Sequence, residues 1–181
     1  TTNSVVQGNV IGLDQPGQPA GHAGAGVLSE GTDTLIGGGA AGVRNVISAN
    51  SQSGVTISGA GAIGNVVRSN YIGTNAGGTA DLGNTANGVT ISNASGNTVG
   101  GTSAGARNVI SGNNAHGVLI TGSGATANQV QVNYIGTNAA GTGALGNTFD
   151  GVNIIFSAAN NTVGGTEPAK LAAALGSVLG W

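Results

Sequence analysis

Residues 88–113 read Gly88-Val89-Thr90-Ile91-Ser92-Asn93-Ala94-Ser95-Gly96-Asn97-Thr98-Val99-Gly100-Gly101-Thr102-Ser103-Ala104-Gly105-Ala106-Arg107-Asn108-Val109-Ile110-Ser111-Gly112-Asn113, and the three short motifs inside them build nearly the whole chain. Gly-Val-x-Ile returns at Gly26, Gly54, Gly88, Gly117 and Gly151, slightly degenerate in its first copy. Asn-x-Val returns at Asn3, Asn65, Asn97, Asn128 and Asn161, with Thr34-Leu35-Ile36 standing in once. Asn-Val/Tyr-Ile-Gly/Ser-x-Asn/Asp starts at Asn9, Asn45, Asn70, Asn108 and Asn133. The order never changes. Each apolar run is too short to bury itself, so copies must stack on copies, and the chain reads as a solenoid.

Steps between successive Gly-Val pairs are 28 (26 to 54), 34 (54 to 88), 29 (88 to 117) and 34 (117 to 151). Coils therefore alternate short and long, and the sharper repeat is two coils: Asn45 to Asn108, Tyr71 to Tyr134 and Gly54 to Gly117 are each 63 apart. Short coils carry extra residues between the second and third motifs, as at 102–106, and long coils carry them after the third, at 76–87 and 139–150. Three strands per coil, separated by Gly/Asn/Ser/Thr turns, predict a parallel β-helix of triangular section, all-β, with about five to six coils. Alternation places Val27, Val55, Val89, Val118 and Val152 inward, with Ile57, Ile91, Ile120 and Ile154 two residues on. The asparagines Asn9, Asn45, Asn70, Asn108 and Asn133 are read as a buried amide ladder. Asp14 falls in line with Asn50, Asn75, Asn113 and Asn138 and reads as a turn position; a calcium role for it is the lesser reading.

Composition narrows the function classes. Charged residues are 6% of the 181, the formal net charge is −2, and the cations are one Lys and three Arg, so no basic stripe exists to neutralise phosphates and nucleic acid is not an expected partner. No apolar run reaches the roughly 18 residues of a membrane span, and no leader segment opens the chain. Cysteine is absent, which excludes disulfides and thiolate metal sites. No cofactor is expected.

After Gly165 the repeat stops, dividing the chain into a repeat domain, 1–165, and a tail, 166–181. Thr166 suits an N-cap, Glu167 and Pro168 suit a first turn, and Leu171, Leu175, Val178 and Leu179 share one face. The pattern predicts a short amphipathic helix, of natural or engineered origin, lying across the last coil and shielding its strand edges. No such plug precedes the first coil, where self-association through the N-terminal end is the expectation.

The wording Asn-Val-Ile-Ser-Gly-Asn at 108–113, Asn-Tyr-Ile-Gly-Thr-Asn at 70–75 and 133–138, and Asn-Thr-Val-Gly-Gly-Thr at 97–102 and 161–166 resembles right-handed parallel β-helix repeats of the pectate-lyase-like group. It is most similar to the Gly/Asn-rich arrays of large secreted or surface-attached bacterial proteins, and covers residues 3–165. The resemblance implies a right-handed helix and a secreted or cell-surface location. It implies no single activity, because the group holds lyases, hydrolases, epimerases, adhesins and arrays of other kinds.

Three surfaces are candidates for chemistry. First, the residues preceding each Gly-Val are Ala25, Ser53, Asn87, His116 and Asp150, so His116 and Asp150 should lie one coil apart, near 5 Å. This would be an oriented His–carboxylate pair, but Ser53 falls two coils from His116 and a nucleophilic triad does not close. The six acids, Asp14, Glu30, Asp33, Asp81, Asp150 and Glu167, offer no carboxyl pair spaced for glycoside cleavage, about 5–9.5 Å apart. Second, Thr56/Ser58 and Thr90/Ser92 form a small outward Thr/Ser patch of the kind an ice-binding face uses, interrupted by Leu119 and Asn153. Third, Tyr71 and Tyr134 would stack on a glycan if they point outward; core filling is the expected role. Arg44 and Arg107 share a register and read as unpaired surface residues. The leading reading is a non-enzymatic structural or adhesive solenoid; a polysaccharide-binding or polysaccharide-cleaving β-helix comes second and an ice-binding one third.

Overall fold

The computed structural model describes residues 2–40 and 42–165. The tail with Leu171, Leu175, Val178 and Leu179 lies outside the described residues. Each coil contributes one strand to each of three all-parallel sheets. The Asn-x-Val sheet holds β1 (Val5–Val6), β4 (Leu35–Gly37), β7 (Val66–Arg68), β10 (Thr98–Gly100), β13 (Gln129–Gln131) and β16 (Thr162–Val163). The third-motif sheet holds β2 (Val10–Ile11), β5 (Val46–Ile47), β8 (Tyr71–Ile72), β11 (Val109–Ile110) and β14 (Tyr134–Ile135). The Gly-Val sheet holds β3 (Val27–Ser29), β6 (Val55–Ser58), β9 (Val89–Ser92), β12 (Val118–Thr121) and β15 (Val152–Ile155). The chain is therefore a three-sheet parallel β-solenoid of about five coils, and β16 opens a sixth.

Like residues stack on like. Val27, Val55, Val89, Val118 and Val152 are in register, as are Ile57, Ile91, Ile120 and Ile154. Their central members are fully buried, with Ile36, Val67 and Val99 from the second sheet and Ile47, Ile72 and Ile110 from the third. In the last coil Ile154 is 41% exposed, so the inward column predicted from the sequence loses its cover there. The glycine of Gly-Val-x-Ile is fixed by this packing: a Cβ at Gly88 would run into Ile110 Cγ2 and stand 2.7 Å from Gly117 O and 2.9 Å from Asn113 Nδ2. Only a bare backbone lets this strand approach the neighbouring sheet so closely.

The interior holds three asparagine ladders, where the sequence reading found one. In the first, Asn9 donates from Nδ2 to Asn45 Oδ1 at 3.0 Å, Asn45 to Asn70 at 2.9 Å, Asn70 to Asn108 at 3.1 Å and Asn108 to Asn133 at 2.9 Å. A second runs Asn50, Asn84, Asn113, Asn147 at 2.8, 2.9 and 2.9 Å, and a third Asn65, Asn97, Asn128, Asn161 at 2.9, 3.1 and 3.0 Å. Beyond the first rung of a ladder each Oδ1 also accepts the backbone N–H of the preceding rung, as Asn108 Oδ1 does from Asn70, and each central amide donates back to a main-chain carbonyl, as Asn108 does to Val67 O. A central rung thus uses its whole hydrogen-bonding capacity without water, which makes a buried polar column tolerable. At many corners the residue before the ladder asparagine has positive φ, among them Gly64, Gly96 and Ser69.

Two sequence alignments are corrected. Val5 pairs with Leu35 and Val6 with Ile36, so Ser4, not Asn3, stands in line with Thr34 and Asn65; Asn3 occupies the preceding corner at φ 53°. The column drawn through Asp14, Asn50, Asn75, Asn113 and Asn138 also splits. Asn50 and Asn113 are rungs of the second ladder, whereas Asp14, Asn75 and Asn138 head surface loops, and in the third and fifth coils Asn84 and Asn147 fill the rung after the loop.

Candidate functional site

His116 and Asp150 end one short turn each, just before the Gly-Val strands β12 and β15, and the coil spacing brings them together: Nδ1 lies 3.1 Å from Asp150 Oδ2. The His side chain is 19% exposed and the Asp 39%. The same Nδ1 faces the backbone N–H of Asp150 at 3.2 Å, so an unprotonated Nδ1 accepts that N–H while a protonated Nδ1 donates to the carboxylate. Asn153, on the outward face of β15, closes the cluster with Nδ2 3.2 Å from His116 Nε2 and 3.1 Å from Asp150 Oδ2. Phe149, 61% exposed, tilts against the imidazole with centroids 5.5 Å apart.

Below this cluster the column continues as a chain of neutral groups. Asn87 Oδ1 accepts the His116 backbone N–H at 3.0 Å, Asn87 Nδ2 donates to Thr90 Oγ1 at 3.1 Å, and Thr90 Oγ1 lies 2.9 Å from Ser53 Oγ. The partner of Ser53 is therefore Thr90 rather than His116, with Asn87 between them. The geometry can hold a proton between His116 and Asp150; among the described residues it places no nucleophile beside them. The register leaves Thr56 and Thr90 adjacent on the outer face, with Leu119 and Asn153 continuing the row. The hydroxyl of Thr90 is engaged with Ser53 and Asn87, which takes it out of any regular array facing water.

Tyr71 and Tyr134 do not fill the core, as the sequence reading expected. Ile72 and Ile135 take the inward positions beside them, and the rings lie outside the sheet, each covered by an arginine. Arg44 Cζ stands 4.0 Å from the Tyr71 ring centroid and Arg107 Cζ 4.1 Å from that of Tyr134, a cation–π pair in each two-coil unit. Arg44 and Arg107 are therefore paired, correcting the expectation that they stand alone. A loop glycine closes on each ring: a Cβ at Gly78 would meet Tyr71 Cε2 at 3.0 Å, and one at Gly141 would meet Tyr134 Cζ at 2.8 Å. The trio Arg, Tyr, Gly recurs with each member 63 residues on, a signal present in the sequence but split over 34 positions in each copy.

Three equivalent loops thus decorate one edge. In each an Asx side chain accepts a backbone N–H four residues ahead: Gln18 to Asp14 Oδ1 at 2.7 Å, Thr79 to Asn75 Oδ1 at 2.9 Å, Thr142 to Asn138 Oδ1 at 3.0 Å. This explains the Asp14 side chain as a turn acceptor. Among the described residues no group of three or more His, Asp or Glu gathers where it could hold a metal ion, and no helix is long and apolar enough to cross a membrane. Compared with models of protein families, with curated protein sequences and with solved structures, the chain matches none.

Proposed function

We propose that this chain is a non-enzymatic structural or adhesive β-solenoid module of a secreted or cell-surface bacterial protein, built on the right-handed repeat of the pectate-lyase-like group. The observation that carries the reading is where the polar side chains go. Most interior asparagines are spent on the three ladders, Thr90 and Ser53 on each other, and both tyrosines on their arginines. Such a solenoid is a stiff spacer whose coils rise about 4.8 Å each. Self-association of copies through the N-terminal coil belongs to this reading.

The second reading, a polysaccharide-binding or polysaccharide-cleaving β-helix, is favoured by the His116–Asp150 contact. Incubation with neutral and acidic polysaccharides, with and without Ca²⁺, separates the two when bound polymer and new chain ends are scored together. The structural reading expects no new ends. Cleavage lost in His116→Ala would replace it with the second reading.

A further inference from the structure

The three edge loops share one turn, loop 13–19 being one residue shorter than loops 74–81 and 137–144, and they do not stack alike. Loops 74–81 and 137–144 touch: the Ala139 N–H donates to Gly78 O at 2.8 Å, and a Cβ at Gly78 would strike that of Ala139 at 2.6 Å. One unit earlier the corresponding contact would join Ala76 to Gly17. Instead nothing lies within 4 Å of a Cβ at Gly17, and an open groove of about 720 Å³ separates loop 13–19 from loop 74–81. That volume lies in the roughly 300–1,000 Å³ range of small-molecule sites.

Besides the shorter loop, one register position differs. In the other two loops the glycine closes on a tyrosine ring, Tyr71 or Tyr134. In the first coil the same position is Val10, which pairs through Val46 with Tyr71 and is 56% exposed. The groove is walled by Val10, Leu13, Pro16 and Leu82, and among the described residues its only ionisable side chain is Asp14. One oxygen of Asp14 holds the loop turn, and among the described residues the carboxylate makes no ion pair; its counterparts Asn75 and Asn138 are neutral. Where sister loops hold a ring under a cation, this one offers apolar walls and an anion.

We propose that the groove between loops 13–19 and 74–81 binds a cationic aromatic ligand of the arylalkylamine class, its ring against Val10 and Leu13 and its ammonium group on Asp14. Shape selects the ring, because the fold itself seats an aromatic ring at the equivalent position of two other coils. Charge selects the ammonium, because among the described residues the groove has one carboxylate and no cation. The site is independent of His116 and Asp150.

Titration with tyramine at low ionic strength, followed by ligand-observed NMR, tests it. Saturable binding is expected, weakened about threefold in Asp14→Asn, which retains the turn acceptor as Asn75 and Asn138 do, and weakened by a similar factor for uncharged p-cresol on the unmodified protein. Val10→Tyr should abolish binding while leaving the circular dichroism spectrum unchanged, since the register already accepts tyrosine. No saturable binding, binding retained in a folded Val10→Tyr, or equal affinity for p-cresol and tyramine would each overturn the assignment. So would displacement of tyramine by a neutral sugar. Should Val10→Tyr not fold, the Asp14→Asn and p-cresol comparisons still decide the outcome.

Discussion

Asn108→Ala removes the central rung of the first ladder, and its cost follows from counting the groups left behind. The Asn108 amide is fully buried, donates to Val67 O at 2.8 Å and Asn133 Oδ1 at 2.9 Å, and accepts from Asn70 N at 2.9 Å and Asn70 Nδ2 at 3.1 Å. Truncation strands the Asn70 backbone N–H away from water and takes one hydrogen bond from the Val67 carbonyl, which stays paired in the β7–β10 ladder; Asn133 Oδ1 keeps the Asn108 backbone N–H, and Asn70 Nδ2 keeps Ile36 O and Arg68 O. One orphaned buried donor at about 1–3 kcal/mol and one lost hydrogen bond at about 0.5–1.5 kcal/mol give a destabilisation of about 3 kcal/mol. The control is Asn138→Ala on the edge loop, where the Thr142 N–H and Oγ1 it releases reach solvent and the loss is about 1 kcal/mol or less. Urea unfolding of both variants and the parent, compared at equal m-values, reads the difference. Against a total stability of about 5–15 kcal/mol, Asn108→Ala sits near the limit of folding, so Asn133→Ala, at the partly exposed last rung, is the graded companion, expected near 2 kcal/mol. A cost for Asn108→Ala within about 1 kcal/mol of Asn138→Ala would refute the reasoning.

The second ladder begins one coil late. Ser51 N–H donates to His22 O just as Asn114 N–H donates to Asn84 O, so exposed His22 stands where a rung belongs, and the buried Asn50 Oδ1 has no partner. His22→Asn should complete the ladder and raise the urea midpoint by about 1 kcal/mol of stability. Gly88→Ala should cost about 3 kcal/mol or more, because its Cβ meets backbone and a core isoleucine; Gly151→Ala should be mild, its Cβ meeting Ile135 Cγ2 at an ordinary 3.5 Å, and paired thermal melts of the two variants check the contrast. A double-mutant cycle of Arg107→Ala and Tyr134→Leu should return a coupling of about 0.5–1 kcal/mol, and additivity within error would mean that the pair merely coexists.

Sequence alone carried the strands, the coil count and the inward valine and isoleucine columns, because a period-2 pattern repeated every coil leaves one consistent register. It also placed His116 against Asp150 from a single column. The second ladder was harder to see. Asn50 and Asn75 occupy the same place in their motifs, yet the longer third coil spends Asn75 on a turn and supplies its rung from Asn84, nine residues later. Asn3 was misaligned by one for a related reason: asparagine suits both a left-handed corner and the rung that follows it. The direction of the tyrosines depended on which neighbour took the inner face, and in the two-residue strands β8 and β14 alternation gives one residue to each face, with Ile72 and Ile135 inward. The groove depends on how two loops approach, which residue types alone do not encode.

The account rests on the ladders, and hydrogen exchange of the asparagine side-chain amides, followed by NMR, tests them most directly. The carboxamides of Asn70, Asn97 and Asn113, each fully buried and doubly donating, should exchange orders of magnitude more slowly than those of the loop residues Asn75 and Asn138. Equal exchange in the two sets would contradict the ladders and the structural reading built on them.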